Sequence, residues 1–319
     1  MNAIFSRFII AVVLIAGMDS CSTMKTAPTG PALREEDWVS YDGKVMPWKV
    51  WAVSKGERVR AVLITVHGLS GATSDFWPIG EALPNQGVAV YGYEIRGQGN
   101  DPNSGNRGHI RSRHQWLRDL ETFDRLVRAR HPAVPVFWHG TSLGSLIALQ
   151  TAVDGELTPD GLILGSPLAG VKHGIGRGKR WLLNMASVVM PRKRLRLGDL
   201  AGVDENTIQV TADTTHGGQM AKTPHHVDAF SVRLLAEIGR LLESKDTASA
   251  RWNRPTLVLA SPQDVVASES QIEGFFEGLA SKDKTLVWFK DSRHLLLHDV
   301  EREKVIETER DWLRARSTD

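Results

Sequence analysis

An α/β architecture, a mostly parallel sheet covered by helices on both faces, is what this sequence predicts. Three observations carry it. Short, nearly continuous apolar runs recur along the chain, as strands buried on both faces require. Segments with helical apolar spacing lie between them, the order that builds parallel sheets. One strand leads directly into a Gly-x-Ser-x-Gly turn and then a helix.

The elements follow in order. Trp48 to Val53 alternates and reads as an early strand. Arg60 to His67 is an apolar run long enough for a strand buried on both faces, and Val88 to Tyr93 is another. Arg113 to Arg130 places Trp116, Leu117, Leu120, Phe123, Leu126 and Val127 at helical spacing. Val134 to Trp138 is a strand, with Pro135 tolerated only near its start. Gly161 to Leu164 and Pro255 to Ala260 are further strands, Thr285 to Phe289 is the last, and Glu301 to Arg314 closes with a helix. The alternation fails over 169–250, which is longer than a normal connection and reads as a helical insertion over the edge of the sheet. The expected core is therefore 38–168 with 251–319.

Composition excludes several functions. The chain has 319 residues, 41% hydrophobic and 24% charged, so disorder and a polytopic membrane protein are ruled out. Lys and Arg number 39 against 37 Asp and Glu, which leaves no basic field for nucleic acid. One cysteine permits neither an intramolecular disulfide nor a cysteine-cluster metal site. His216, His225 and His226 fit no standard ligand spacing, so no metal or other cofactor is expected. Most of the ten tryptophans read as core or pocket wall.

The amino terminus reads as an export signal. Arg7 precedes an apolar run from Phe8 to Gly17, too short to span a bilayer but right for a signal-peptide core. Residues 1–20 are the expected signal and 21–37 a polar, proline-containing tether. Cys21, just past the run, resembles the lipidated cysteine of bacterial lipoproteins, although Asp19 is off that pattern. A cleaved soluble form and an uncleaved anchor are the alternatives. All three export the chain, to a periplasm-facing membrane (the outer one favoured), to the periplasm, or beyond.

The chemistry concentrates in four segments. Phe137 to Trp138 leads into Gly140-Thr141-Ser142-Leu143-Gly144 and the helix from Leu146, so Ser142 sits on a sharp turn as the expected nucleophile. His67-Gly68-Leu69 follows a buried strand; the N–H groups of Leu69 and Leu143 would form the oxyanion hole, with His67 shaping the backbone. The acid and base should follow in that order, each after a strand. Asp264 follows one strand and His294 the last, so His294 is the expected base and Asp264 its orienting partner. Asp283 and Asp291 are poorly placed competitors, and His298 reads as helix surface.

With these residues, the chain resembles α/β-hydrolases of the monoacylglycerol lipase and lysophospholipase type from Trp38 to Leu313. Family patterns are met at His67-Gly68-Leu69 and Tyr93-Glu94-Ile95-Arg96-Gly97-Gln98-Gly99, at the elbow, and at Asp264 and His294. Glu94 and Gln98 replace the family's Asp and His, Thr141 its elbow His, and Ser145 its last elbow Gly. The resemblance implies the α/β-hydrolase fold, with 169–250 as a lid over an acyl pocket. It also implies a serine hydrolase cleaving esters of monoacyl lipids through an acyl-enzyme. A short-chain esterase or acyltransferase on the same site is the nearer alternative, a non-catalytic lipid-binding protein the remoter one. Within the insertion, Lys172 to Arg196 holds eight cations and no acid, flanking the apolar stretch Trp181 to Met190. Such a segment suits an anionic lipid surface, or it packs on the pocket with its charges solvated or paired to Asp199, Asp204 and Glu205.

Overall fold

The computed structural model describes residues 30–172, 174, 176–198, 209–213, 215 and 223–318. Cys21 and His216 lie outside the described residues, as does the expected signal segment.

Nine strands form the main sheet. In chain order they are β1 (Ala32–Leu33), β2 (Asp37–Val39), β3 (Val45–Trp51), β4 (Ala61–Val66), β5 (Val88–Tyr93), β6 (Val136–Thr141), β7 (Gly161–Gly165), β10 (Thr256–Ala260) and β11 (Lys284–Trp288). Two short strands, β8 (Arg194–Leu195) and β9 (Phe230–Ser231), pair with each other in the insertion. The main sheet runs β1-β2-β3-β5-β4-β6-β7-β10-β11. Its pairs are parallel from β5 to β11 and antiparallel from β1 to β5. The helices are α1 (Trp77–Ala82), α2 (Arg113–Arg130), α3 (Leu143–Asp154), α4 (Arg177–Val189), α5 (Val232–Arg251), α6 (Glu269–Gly278) and α7 (Arg302–Arg314).

The strand alternation divides the core into two layers. Val62 and Ile64 of β4 face Leu120, Phe123, Leu146, Leu149 and Leu234 from α2, α3 and α5. Ala61 and Leu63, one residue out of phase, face Ile79, Val305, Trp312 and Leu313 from α1 and α7. Both faces are thereby closed to water, which is why β4, β5 and β7 read as unbroken apolar runs. Under the second layer, His139 of β6 and Glu309 of α7 lie 3.2 Å apart, each 1% exposed or less, linking the closing helix to the nucleophile strand.

The structure departs from the sequence expectations in places. The strand expected from Trp48 begins at Val45 and is preceded by β1 and β2, too short to leave a periodic signal. β6 begins only after Pro135, which has no N–H to donate. α5 lies within 169–250 yet packs on α3, α4 and α6, alongside the sheet. Trp38, Trp116, Trp138 and Trp252 are fully buried, whereas Trp181 is 62% exposed. His298, expected on a helix surface, is buried and its Nε2 lies 2.7 Å from the Asp75 carbonyl. The correction has a physical cause: the chain after β11 turns through Leu296–His298 before α7 begins, so His298 faces inward.

Candidate active site

Ser142, Asp264, His294 and the His67-Gly68-Leu69 turn all follow the carboxyl ends of strands in the parallel part of the sheet, β6, β10, β11 and β4. Open α/β sheets present their ligand sites at that edge.

Ser142 joins β6 to α3 with φ 54° and ψ −117°. A non-glycine residue there is strained, so the surroundings must hold it. They do so through the backbone. The Ser142 N–H donates to the Gly165 carbonyl at 3.0 Å, and its own carbonyl accepts the Ser145 N–H at 3.0 Å. Ser145 adds a bond that sequence reading missed: its hydroxyl donates to the Ser142 carbonyl at 2.5 Å and accepts the Leu168 N–H at 3.3 Å. The residue replacing the family's glycine thus ties the elbow to the chain leaving β7. Gly144 makes the turn sterically possible, because a Cβ there would fall 2.0 Å from the Val66 carbonyl oxygen.

The facing loop is held equally closely. A Cβ on Gly68 would sit 3.2 Å from the Ser142 Cβ, which places the His67-Gly68-Leu69 turn directly against the elbow. His67 is buried. Its Nδ1 lies 2.9 Å from the Gly68 carbonyl, and its Nε2 accepts the Ile95 N–H at 3.0 Å. Both ring nitrogens thus meet backbone, and Nε2 also lies 3.3 Å from the buried Glu94 carboxylate. Gln98, in place of the family's histidine, accepts the Ser70 N–H at 2.8 Å, and Glu94 accepts the Thr73 N–H at 3.0 Å. Their segment is anchored by Arg96, which bonds Asp42 with both terminal nitrogens at 2.7 Å and Asp119 at 2.5 and 2.7 Å. The Leu143 N–H opens α3 and has no acceptor within that helix. Leu69 and Leu143 thus stand on two turns packed against each other beside Ser142.

Asp264 and His294 are brought together across 30 residues of chain. The Asp264 Oδ2 lies 2.8 Å from His294 Nδ1; the two side chains are 0% and 7% exposed. Asp264 Oδ1 accepts the Val266 N–H at 2.7 Å and the Ala267 N–H at 3.3 Å, so the carboxylate is held on both oxygens. A carboxylate on Nδ1 holds the proton there and leaves Nε2 as the basic nitrogen. Lys172 caps the arrangement from the insertion, its Nζ donating to the Asp264 carbonyl at 3.1 Å. Asp283 instead pairs with Arg316 at the amino end of β11.

Comparison with known proteins agrees with this fold. The family model described as serine aminopeptidase, S33 (Hydrolase_4), matches residues 57–301. A phospholipase, YtpA, of Bacillus subtilis (strain 168) is 25% identical over 262 residues, 80% of this chain and 96% of its own. The monoglyceride lipase of Rattus norvegicus is 23% identical over 81% of this chain and 82% of its own. A soluble variant of the Saccharomyces cerevisiae monoglyceride lipase superposes with a TM-score of 0.77 at 21% identity, covering 93% of this chain and 99% of that one. With a strained serine elbow at the carboxyl edge of this sheet and that match over most of its length, the chain belongs to the Hydrolase_4 family of α/β-hydrolases.

Proposed function

We propose that the chain hydrolyses carboxylic esters of monoacyl lipids, monoacylglycerols or lysophospholipids, by a Ser142–His294–Asp264 triad. The observation that carries it is the Asp264–His294 pair standing at the same sheet edge as the strained Ser142 elbow. Ser142 Oγ attacks the acyl carbonyl while His294 Nε2 takes its proton. The Leu69 and Leu143 amides receive the oxyanion, and His294 returns the proton to the departing alcohol. Water then attacks the acyl-enzyme with the same base, releasing the acid. No metal or cofactor enters these steps. The relatives named as monoglyceride lipase and phospholipase support a lipid ester as substrate. Initial rates on glycerol and lysophosphatidyl monoesters of increasing acyl length test it. Rates should rise from butyryl to dodecanoyl and longer; a maximum at acetyl or butyryl would assign a short-chain esterase instead.

The stretch 169–250 serves in this reading as the cap over the acyl pocket, and its helix α4 as the contact with membrane. Trp181, Leu182, Met185, Val188 and Val189 recur at helical spacing on one face of α4, each between 49% and 73% exposed. Lys179, Arg180, Arg192, Lys193 and Arg194 flank that face and are exposed. Burial and the charges of Arg192, Arg194, Arg233 and Arg111 push His109 down to about 4, so it adds no charge at neutral pH while the arginines remain positive. An apolar stripe among cations suits an anionic bilayer. Replacing Lys179, Arg180, Lys193 and Arg194 with glutamine is expected to weaken binding to phosphatidylglycerol vesicles on the order of 1,000-fold, at about 1 kcal/mol per cation. Hydrolysis of a small soluble ester should change little. Loss of both together would mean that the cluster holds the cap fold, since Arg180 pairs with Glu243 and Arg194 bonds the Ala229 carbonyl.

Cys21, if lipidated after export, would tether the enzyme to the same membrane, with the outer membrane as its destination. Two or more acyl chains give stable attachment where one is marginal. Incorporation of a palmitate analogue by the wild type but not by Cys21→Ser is the expected result. Unlabelled protein in the soluble periplasmic fraction would remove the anchor and leave the triad untouched.

A further inference from the structure

His294 has a side-chain partner in Asp264, but that bond alone leaves its backbone free to drift. The chain from Asp291 to Val300 contains only the short turn Leu296–His298, so its amides must find partners outside regular structure. The start of this loop is held by Glu301, whose Oε2 accepts the Asp291 and Ser292 N–H groups at 2.9 and 3.2 Å. The amides on either side of His294 go elsewhere. The Arg293 N–H donates to Asp299 Oδ2 at 2.7 Å, and the Leu295 N–H donates to the Val210 carbonyl at 3.0 Å.

Asp299 is where these two paths meet. Its Oδ1 accepts the Ala212 N–H at 2.9 Å and the Val300 N–H at 2.8 Å. The neighbouring Thr211 hydroxyl donates to the His298 carbonyl at 2.7 Å, and Arg293 Nη1 bonds the Gln209 carbonyl and side chain. Asp299 and Thr211 are 6% and 4% exposed, so water does not compete for these bonds. One buried carboxylate therefore binds the residue before His294, the end of its loop, and a strip of the insertion.

We propose that Asp299 is a positioning residue for His294, and that through it the base is held in place by the strip 209–212 of the insertion. The proposal rests on His294 being the general base. Its consequence is that the insertion supports the proton transfer as well as covering the site: a shift of 209–212 would displace Arg293, Leu295 and the imidazole between them. A misplacement of about 1 Å is enough to lower turnover about 100-fold.

The test uses the full chain with Asp299→Asn and Thr211→Val. Asparagine offers one acceptor oxygen, so either Arg293 or the Ala212 and Val300 pair faces an NH₂ group instead. Active sites are titrated to completion with a fluorophosphonate, and kcat and KM are measured on p-nitrophenyl butyrate per titrated site. Asp299→Asn is expected to lower kcat about 100-fold and to change KM by less than about twofold. Thr211→Val, which loses the bond to the His298 carbonyl and the one its hydroxyl accepts from the Asp213 N–H, should lower kcat about fivefold. An unchanged kcat per site in Asp299→Asn, or a loss that appears wholly as fewer titratable sites, overturns the proposal. Should Asp299→Asn not fold, an unchanged kcat in Thr211→Val overturns it alone. A wild type that neither labels nor turns over would instead overturn the triad itself.

Discussion

Ester hydrolysis is expected to fall on the order of 10⁶-fold in Ser142→Ala and in His294→Ala, by analogy with other triads whose members act as a unit. Alanine at 142 removes the oxygen that would form the acyl bond. At 294 it removes the nitrogen that would take that oxygen's proton. Asp264→Asn should be milder, about 10⁴-fold, because the imidazole is retained but in the wrong tautomer. None of the backbone bonds that hold the elbow uses the Ser142 side chain. Ser142→Ala should consequently melt at the wild-type temperature, and unchanged circular dichroism would show that chemistry alone was lost. Near-normal turnover by folded Ser142→Ala would mean that another residue is the nucleophile.

A methyl group at Gly144 should be nearly as damaging by a different route. The added Cβ would meet the Val66 carbonyl oxygen at 2.0 Å and the His67 carbonyl oxygen at 2.8 Å. Both are backbone atoms at the end of the central strand β4, so no side-chain rotation relieves the contact. Either α3 lifts away from the sheet or the His67-Gly68-Leu69 turn moves. Gly144→Ala is thus expected to lose about 3 kcal/mol or more of stability, and kcat should drop at least about 100-fold as the Leu69 and Leu143 amides separate. Gly239, inside α5, is the control: a Cβ there meets nothing within 4 Å. Gly239→Ala should stabilise by about 0.5–1 kcal/mol on helix propensity alone. Denaturant melts of the two variants decide the matter, and equal stabilities would contradict the steric account.

Much of the site could be read without coordinates because its elements carry local signals. The elbow needs glycine at 144 and a strand before it, and both lie within a few residues of Ser142. Asp264 and His294 could be placed because each follows a strand within six residues. Ser145 and Asp299 left no such mark. A serine after an elbow and an aspartate five residues past a histidine are ordinary in sequence, and their roles exist only through Leu168, Arg293 and Ala212. Gln98 is intermediate: its motif marked a shaped loop, but not that its amide would hold Ser70.

By itself, then, the sequence determined the alternation of strand and helix, the two-faced burial of the central strands, and the serine turn. These depend on periodicity and on backbone sterics acting over a few residues. The tertiary structure decided what required contact between distant segments. It extended the sheet through β1 and β2, turned His298 inward, set α5 beside α3 and left the apolar face of α4 exposed. It also joined the His294 loop to the strip 209–212. The physical reason is that a buried polar group must find some partner, whereas which partner it finds depends on how the whole chain packs.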